Sequence, residues 1–320
     1  MAHKATSLAT SNIAFVKYWG RIDHVYRLPA NGSISMNLAA ATTTTTVQFD
    51  DALAEDTIDA HSLQLDGKQA SRVFKHIDRV RELAGIQQWA RVATHNSFPM
   101  GAGIASSASA FAALTLAAVE AAGLKLSTRE LSILARQGSG SACRSIPPGF
   151  VEWHYGETSE ASFAETIAPP AHWDLRNLIA ITQNEHKHIG SSQGNALVKT
   201  SPFNQTRLAM ASQSLPIIRR AILDRNWTHL GEEMEREAIR LHVVAMTSSP
   251  PIFYWSPATI RIIQAVQAWR QGGLEAYFTI DAGANVHVLA EAPDASEVEE
   301  RLRALPGVTD VIHNTVGEGT

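Results

Sequence analysis

PMGAGIASSASAFAAL, residues 99–114, is the stretch whose reading decides the fold. It lies between a predicted strand, WARVATHNSF, and a long Ala-rich helix predicted from about Ser106 to Ala122 and closed by Gly123. Gly101 and Gly103 let the backbone approach an anion closely. The unpaired N–H groups at the helix start and the helix dipole favour a phosphate there. Ser106 and Ser107 add hydroxyls for phosphate oxygens or a magnesium ion. Neither GxxxxGK[ST] nor GxGxxG occurs. Taken alone, the loop reads equally well as a phosphate cradle and as a Ser-capped, Gly-rich helix start.

Before the loop, ATSLATSNIAFVKYW, SISMNLA and the Thr-rich ATTTTTVQFD read as strands of one β-rich layer. Residues 69–86 carry a helical pattern with Val73, Ile77, Val80 and Leu83 on one face. After the loop, Ser127-Thr128-Arg129-Glu130 opens a helix with a capping-box pattern, running to about Gln137. GSGSACRS reads as a Gly/Ser loop, GFVEWHYG as a strand, and Leu178 to Thr182 as a short apolar strand. The polar NEHKHIGSSQGNALVKTSP reads as a loop and domain boundary. Two or three helices are expected between 204 and 247 and another over 256–271. The tail alternates AYFTI strand, DAGAN loop, VHVLAEA strand, a helix over 295–304 and VTDVIHN strand, the pattern of a ferredoxin-like half.

The chain has 320 residues, 45% hydrophobic and 18% charged, with a net charge of -4. That supports one large or two ordinary domains and carries no basic nucleic-acid footprint. The single cysteine, Cys143, excludes an internal disulfide and fits a reducing compartment. The N-terminus has no signal-peptide pattern, and no apolar run approaches the roughly 20 residues that span a bilayer. A cytoplasmic globular protein is expected. His186 and His188 have a spacing that invites a metal, but with no third ligand in view they read as surface histidines.

Four stretches, in order along the chain, carry a resemblance. PMGAGIASSAS resembles the signature loop of the GHMP kinase superfamily. NIAFVKYWGRID at 12–23, RQGSGSACRSIPPGFVEW at 136–153 and DAGAN at 281–285 are similar to motifs of the mevalonate diphosphate decarboxylase family. The resemblance implies an α+β GHMP kinase fold, with a two-layer N-terminal ATP-binding domain over 1–182 and a ferredoxin-like C-terminal domain over 183–320. It also implies transfer of the γ-phosphoryl of ATP to a tertiary 3-hydroxyl, then loss of phosphate and carbon dioxide, with magnesium as cofactor and a homodimer as the assembly.

Matched residue by residue, the resemblance makes Asp281 the catalytic aspartate beside the hydroxyl and Arg144 the holder of the substrate carboxylate. Lys17 neutralises charge near Asp281. Those chemistries suit a carboxylate base, a guanidinium fork and an ammonium respectively. Read without it, Asp281 is a turn residue, Arg144 a solvated loop arginine and Lys17 a surface lysine. Ser139 and Ser141 are expected on the substrate carboxylate, and Tyr18 and Arg21 on its distal phosphate. Ser107 ranks first for ATP and magnesium, with Gly101, Gly103, Ser106 and Asn12 also on the ATP side, although Asn12 reads equally as a buried turn asparagine. Trp19 and Cys143 read as packing.

Three departures from the family pattern matter. If Ser191-Ser192 is the serine pair of the central loop, Ser192 contacts substrate and Gln193 replaces an arginine suited to a terminal phosphate. Arg21 replaces a lysine, and Ala284 replaces a proline. Losing a guanidinium removes roughly 1.5–3 kcal/mol of charge-assisted hydrogen bonding. This favours mevalonate 5-phosphate as substrate and isopentenyl phosphate as product. The alternatives are a mevalonate 5-diphosphate decarboxylase, a kinase of the superfamily that stops at phosphorylation (a mevalonate 3-kinase or a homoserine-type enzyme) and a catalytically silent binding protein.

Overall fold

A computed structural model describes residues 3–61, 65–98, 106–182 and 189–320. The N-terminal sheet contains β1 (His3–Val16), β2 (Ser33–Asp50), β3 (Thr57–Asp59), β4 (Trp89–Asn96), β5 (Phe150–Trp153) and β6 (Ala164–Ala168). They run in the order β3-β4-β2-β5-β6, with β1 also paired to β2. The segments SISMNLA and ATTTTTVQFD, expected as two strands, form the one 18-residue strand β2. Its Thr run has the period of a half-buried strand: Thr43, Thr45 and Val47 are buried and Thr44 is exposed.

Three helices cover this sheet: α1 (Gly67–Ala84), α2 (Ser106–Ala121) and α3 (Thr128–Gly138). Asp66 and Gln69 form a capping box for α1, and Ser127 and Glu130 form the expected one for α3. The alanines of α2 (Ala108, Ala112, Ala113, Ala117 and Ala118 are fully buried) let it lie close on β1 and β2. The face of α1 differs from the expected one. Ile77 and Val80 are buried, but Leu83 is 57% exposed and His76 enters the core instead, bonded to Thr115 Oγ1 at 2.8 Å. GSGSACRS is not an open loop either, because Gly140–Ser145 form a buried 3-10 turn.

The chain crosses to a second sheet between β6 and β7 (Leu175–Ile181). With β8 (Ala276–Thr279), β9 (Val286–Glu291) and β10 (Asp310–Asn314), β7 makes an antiparallel sheet in the order β10-β7-β9-β8. The segment read as a polar loop carries a short helix, α4 (Ser191–Leu197); His186 and His188 lie outside the described residues. α5 (Asn204–Asp224) and α6 (Trp227–Met246) sit between the sheets, where Ile218, Ile222 and Met234 join a core with Ile13, Met36, Ile179 and Tyr277. α7 (Pro257–Gln271) and α8 (Ala295–Arg303) cover the other face of the second sheet. Successive residues of β7 alternate between the cores, Ile179 towards α5 and α6, Leu178 and Ala180 towards α7 and α8. No helix is long and apolar enough to cross a membrane, among the described residues.

Candidate active site

β1 ends at Val16, and the next residue, Lys17, is carried into the junction of the two sheets. β8 ends there too, tied to β1 by a hydrogen bond from Thr279 Oγ1 to Ala14 O at 3.4 Å, so Asp281 arrives opposite Lys17. Lys17 Nζ donates to Asp281 Oδ1 at 2.7 Å and to Ala14 O at 2.7 Å. Lys17 is 1% exposed, whereas Asp281 keeps a quarter of its surface open. Burial pushes the Asp281 carboxyl upwards, but the Lys17 ammonium, with His287 and Arg144, outweighs it and holds the group below its ordinary range. Burial and the nearby Arg144 lower Lys17 by more than Asp281 raises it. His242 of α6 is also buried near the pair. Burial and then Lys17 bring its imidazole down to about 3, so it is neutral at physiological pH.

The 3-10 turn delivers Arg144. Its Nη1 donates to Ser33 Oγ on β2 at 2.7 Å and its Nη2 to Asn12 Oδ1 on β1 at 3.0 Å. Asn12 Nδ2 in turn donates to Ser145 Oγ at 2.7 Å and to Ser141 O at 3.2 Å. Arg144 is therefore no solvated loop residue. It is 3% exposed, held by neutral oxygens, with its Nε unpartnered. Among the described residues no carboxylate lies within ion-pair distance of it. A buried guanidinium aimed by neutral acceptors keeps its charge available to receive an anionic group. Trp153 lies under both Arg144 (5.9 Å to the ring centroid) and Tyr18 (ring centroids 4.7 Å apart).

Ser107 and Ser139 connect the phosphate-loop side to this turn, with Ser139 Oγ donating to Ser107 Oγ at 3.2 Å. Gly101 and Gly103 lie outside the described residues. Ser106 and Ser107 open a cleft whose apolar walls are Ile58, Val73, Val92, Phe111 and Leu114. Arg21 Nε donates to Tyr18 Oη at 2.6 Å. Burial pushes the Tyr18 phenol up more than Arg21 pulls it down, so it stays neutral. Ser192 and Gln193 are exposed on the first turn of α4, and among the described residues their side chains make no hydrogen bond. The helix itself is fixed beside the site, because Asn195 Oδ1 accepts from Gly20 N at 2.7 Å and Gly194 packs on Trp19 and Tyr254. Trp19 is buried packing, and Cys143 is fully buried, its thiol pushed by burial up to about 12.

Four supporting residues escaped the sequence reading. Ser33 had no motif of its own, and Trp153, the last residue of the 136–153 stretch, had been given no role. Arg207 of α5 and Glu237 of α6 are a buried ion pair, 3.3 Å apart. Arg207 donates to Lys17 O, to Trp19 O at 3.1 Å and to Asn31 Oδ1 at 2.8 Å, while Glu237 accepts from Lys17 N at 3.2 Å. The pair thus fixes the backbone on both sides of the Lys17 side chain. Only a distance in space, not in sequence, reveals it.

Two sheets with helices between them, a Ser-bearing helix start and a Lys–Asp pair at the junction define a member of the GHMP kinase superfamily, a fold shared with close structural neighbours. Residues 9–164 match the diphosphomevalonate decarboxylase-like N-terminal domain and residues 177–318 the mevalonate 5-diphosphate decarboxylase C-terminal domain. The chain belongs to the mevalonate diphosphate decarboxylase family. It is 33% identical to the phosphomevalonate decarboxylase of Haloferax volcanii, over 96% of this chain and 94% of that one. It is 33% identical to the diphosphomevalonate decarboxylase of Aspergillus fumigatus, over 95% of this chain and 81% of that one. A solved structure described as MDDEF in complex with MVAPP, AMPPCP and magnesium superposes with a TM-score of 0.93 at 36% identity, covering 100% of this chain and 98% of that one. Mevalonate diphosphate decarboxylase from Staphylococcus aureus gives 0.93 at 35%, covering 99% and 96%.

Proposed function

We propose that this enzyme carries out the ATP-dependent decarboxylation of mevalonate 5-phosphate to isopentenyl phosphate, carbon dioxide, ADP and phosphate, through phosphorylation of the 3-hydroxyl. The observation that carries the reaction is the Lys17–Asp281 pair beside a buried Arg144 that has no carboxylate contact among the described residues. Asp281, held ionised by Lys17, orients the 3-hydroxyl and accepts its proton. Lys17 offsets the charge gathering between that oxygen and the incoming phosphoryl group. Arg144 holds the C1 carboxylate, and Asn12 and Ser33 hold Arg144. Ser139 and Ser141 add hydroxyl donors to the same carboxylate. The carboxylate must stay ionised to leave as carbon dioxide, which a guanidinium secures and a neutral donor does not.

The phosphate side fits ATP. Ser106 and Ser107 stand at the start of a 16-residue helix, and the apolar cleft beside them suits a purine ring. Among the described residues no three acidic, histidine or cysteine side chains form a metal cage. The donor set therefore suits a magnesium ion bound chiefly by the triphosphate, with Ser107 Oγ as the protein oxygen. We further propose a two-domain division in which β7 goes with the second sheet, so that the boundary falls before Leu175 and not at 182, together with a cytoplasmic location and a homodimer, the last tested by light scattering.

Support for the monophosphate is the uncharged Gln193 on the first turn of α4 and the near end-to-end match to the Haloferax volcanii relative. The diphosphate is the second reading, favoured by the names of most relatives and of the structures bound to it. Measured side by side, the two substrates decide it: a higher kcat/KM is expected for mevalonate 5-phosphate, and a higher value for the diphosphate reverses the choice.

A further inference from the structure

Two guanidiniums given no role above end on adjacent carbonyls at the close of α3, and one of them, Arg72, also lines the cleft beside Ser106 and Ser107. Arg27 Nε donates to Gln137 O at 2.9 Å, and Arg72 Nη2 donates to Gly138 O at 3.2 Å. Ser139 and Gly140 follow directly. Gly140 lies against the Tyr18 ring, whose hydroxyl accepts from Arg21. Three guanidiniums therefore gather at the head of the turn that carries Ser139, Ser141 and Arg144. Among the described residues none of the three has a carboxylate within ion-pair distance. A helix C-terminus supplies only about half a negative charge. Burial, then Arg21 and Arg72, bring Arg27 down to about 10, as crowded like charges do.

The backbone shows that Arg27 is placed there with some force. Residues 21–29 form a hairpin, closed by the Arg21–Pro29 bridge and by Ile22 N donating to Leu28 O at 3.1 Å. Arg136, fully buried, donates to Tyr26 O at 2.9 Å and holds the residue just before Arg27. Arg27 itself has φ 54°, the left-handed region that favours glycine or asparagine. A loop that needed only to turn is better served by either of those. A simple C-cap for α3 needs one arginine, and Arg72 already supplies it.

We propose that Arg27 joins Tyr18 and Arg21, the residues that the resemblance puts on the phosphate remote from the carboxylate, and that Arg27 is a specificity-determining residue for that group. This rests on the reading of the substrate as a 5-phosphorylated mevalonate. One phosphate, with about -1.5 to -2 charge at neutral pH, is the counter-ion the cluster lacks.

Arg27→Gly tests it cleanly, because glycine suits φ 54° while deleting the side chain. The expected result is a roughly ten- to hundredfold rise in KM for the phosphorylated substrate, the loss of one or two charge-assisted hydrogen bonds, with kcat within about twofold. KM for ATP and the thermal midpoint should stay where they are. Arg27→Lys should recover part of the affinity. A substrate KM within twofold of wild type overturns the proposal, and so does an equal rise in KM for ATP. If wild type prefers the diphosphate but Arg27→Gly still loses affinity for both substrates, the monophosphate reading falls and the role of Arg27 stands.

Discussion

Asp281 and Lys17 divide one task by their environments. Burial works against both charges, and each charge is what keeps the other. Asp281 sits below its free value of 3.8 in the folded protein, so its carboxylate stabilises the fold above that pH and the contribution is lost as pH falls through the lowered value. Lys17 sits below 10.5, so its ammonium is lost sooner on the alkaline side than from a free lysine. A kcat–pH profile should therefore keep its acid limb below the ordinary carboxylate range and show an alkaline limb earlier than 10.5. An acid limb near pH 6 would assign the base elsewhere. Asp281→Asn should lower kcat by roughly 10²–10⁴-fold with nucleotide binding kept, checked by titration with an ATP analogue. These residues were legible in the sequence only through their motifs, since Asp before Ala-Gly is a common turn and Lys at a strand end is commonly exposed. What motifs did not reveal was Arg144's burial, which depends on Asn12 and Ser33 from two other strands.

The turn Gly140–Ser145 is the element that assembles the site. Expected as a Gly/Ser loop, it is a buried 3-10 turn because Cys143 and Arg144 are buried and Ala142 N bonds to Ser139 O at 2.9 Å. Gly140 is there because a Cβ would meet the Tyr18 ring at 2.7 Å. Gly140→Ala should displace Tyr18 from Trp153 and raise KM for the phosphorylated substrate several-fold with a small change in stability; an unchanged KM would detach Tyr18 from substrate binding. Elsewhere, local pattern succeeded where local forces dominate: the capping box of α3, the Thr strand and the helices after residue 204 lie where the sequence pattern puts them. It failed where tertiary contact decides. The hidden continuity of β2 is set by β1, β4 and β5 pairing along one strand, and the turned face of α1 by a histidine that finds Thr115 across the core.

At the scale of the whole molecule, α5 and α6 join the two sheets and also hold the end of β1. Arg207 and Glu237 do both. Glu237→Ala leaves a buried guanidinium uncompensated and should cost about 3–5 kcal/mol in denaturant unfolding. The double change Arg207→Met with Glu237→Leu should regain much of that stability yet leave kcat depressed, because the carbonyl and amide of Lys17 lose their partners. Recovery of both together would mean that the pair serves packing alone. The fold thus spends a buried ion pair, 190 and 220 residues further along the chain, on the position of one lysine.

In the proposed reaction Lys17, Arg144 and Asp281 form one site that phosphorylates the tertiary hydroxyl and then expels the carboxylate. The direct measurement is the ratio of carbon dioxide to ADP released with mevalonate 5-phosphate and ATP. One carbon dioxide per ADP is expected in the wild type, and neither product above background in Asp281→Asn. ADP formed without carbon dioxide, or a ratio untouched by Asp281→Asn, would contradict it.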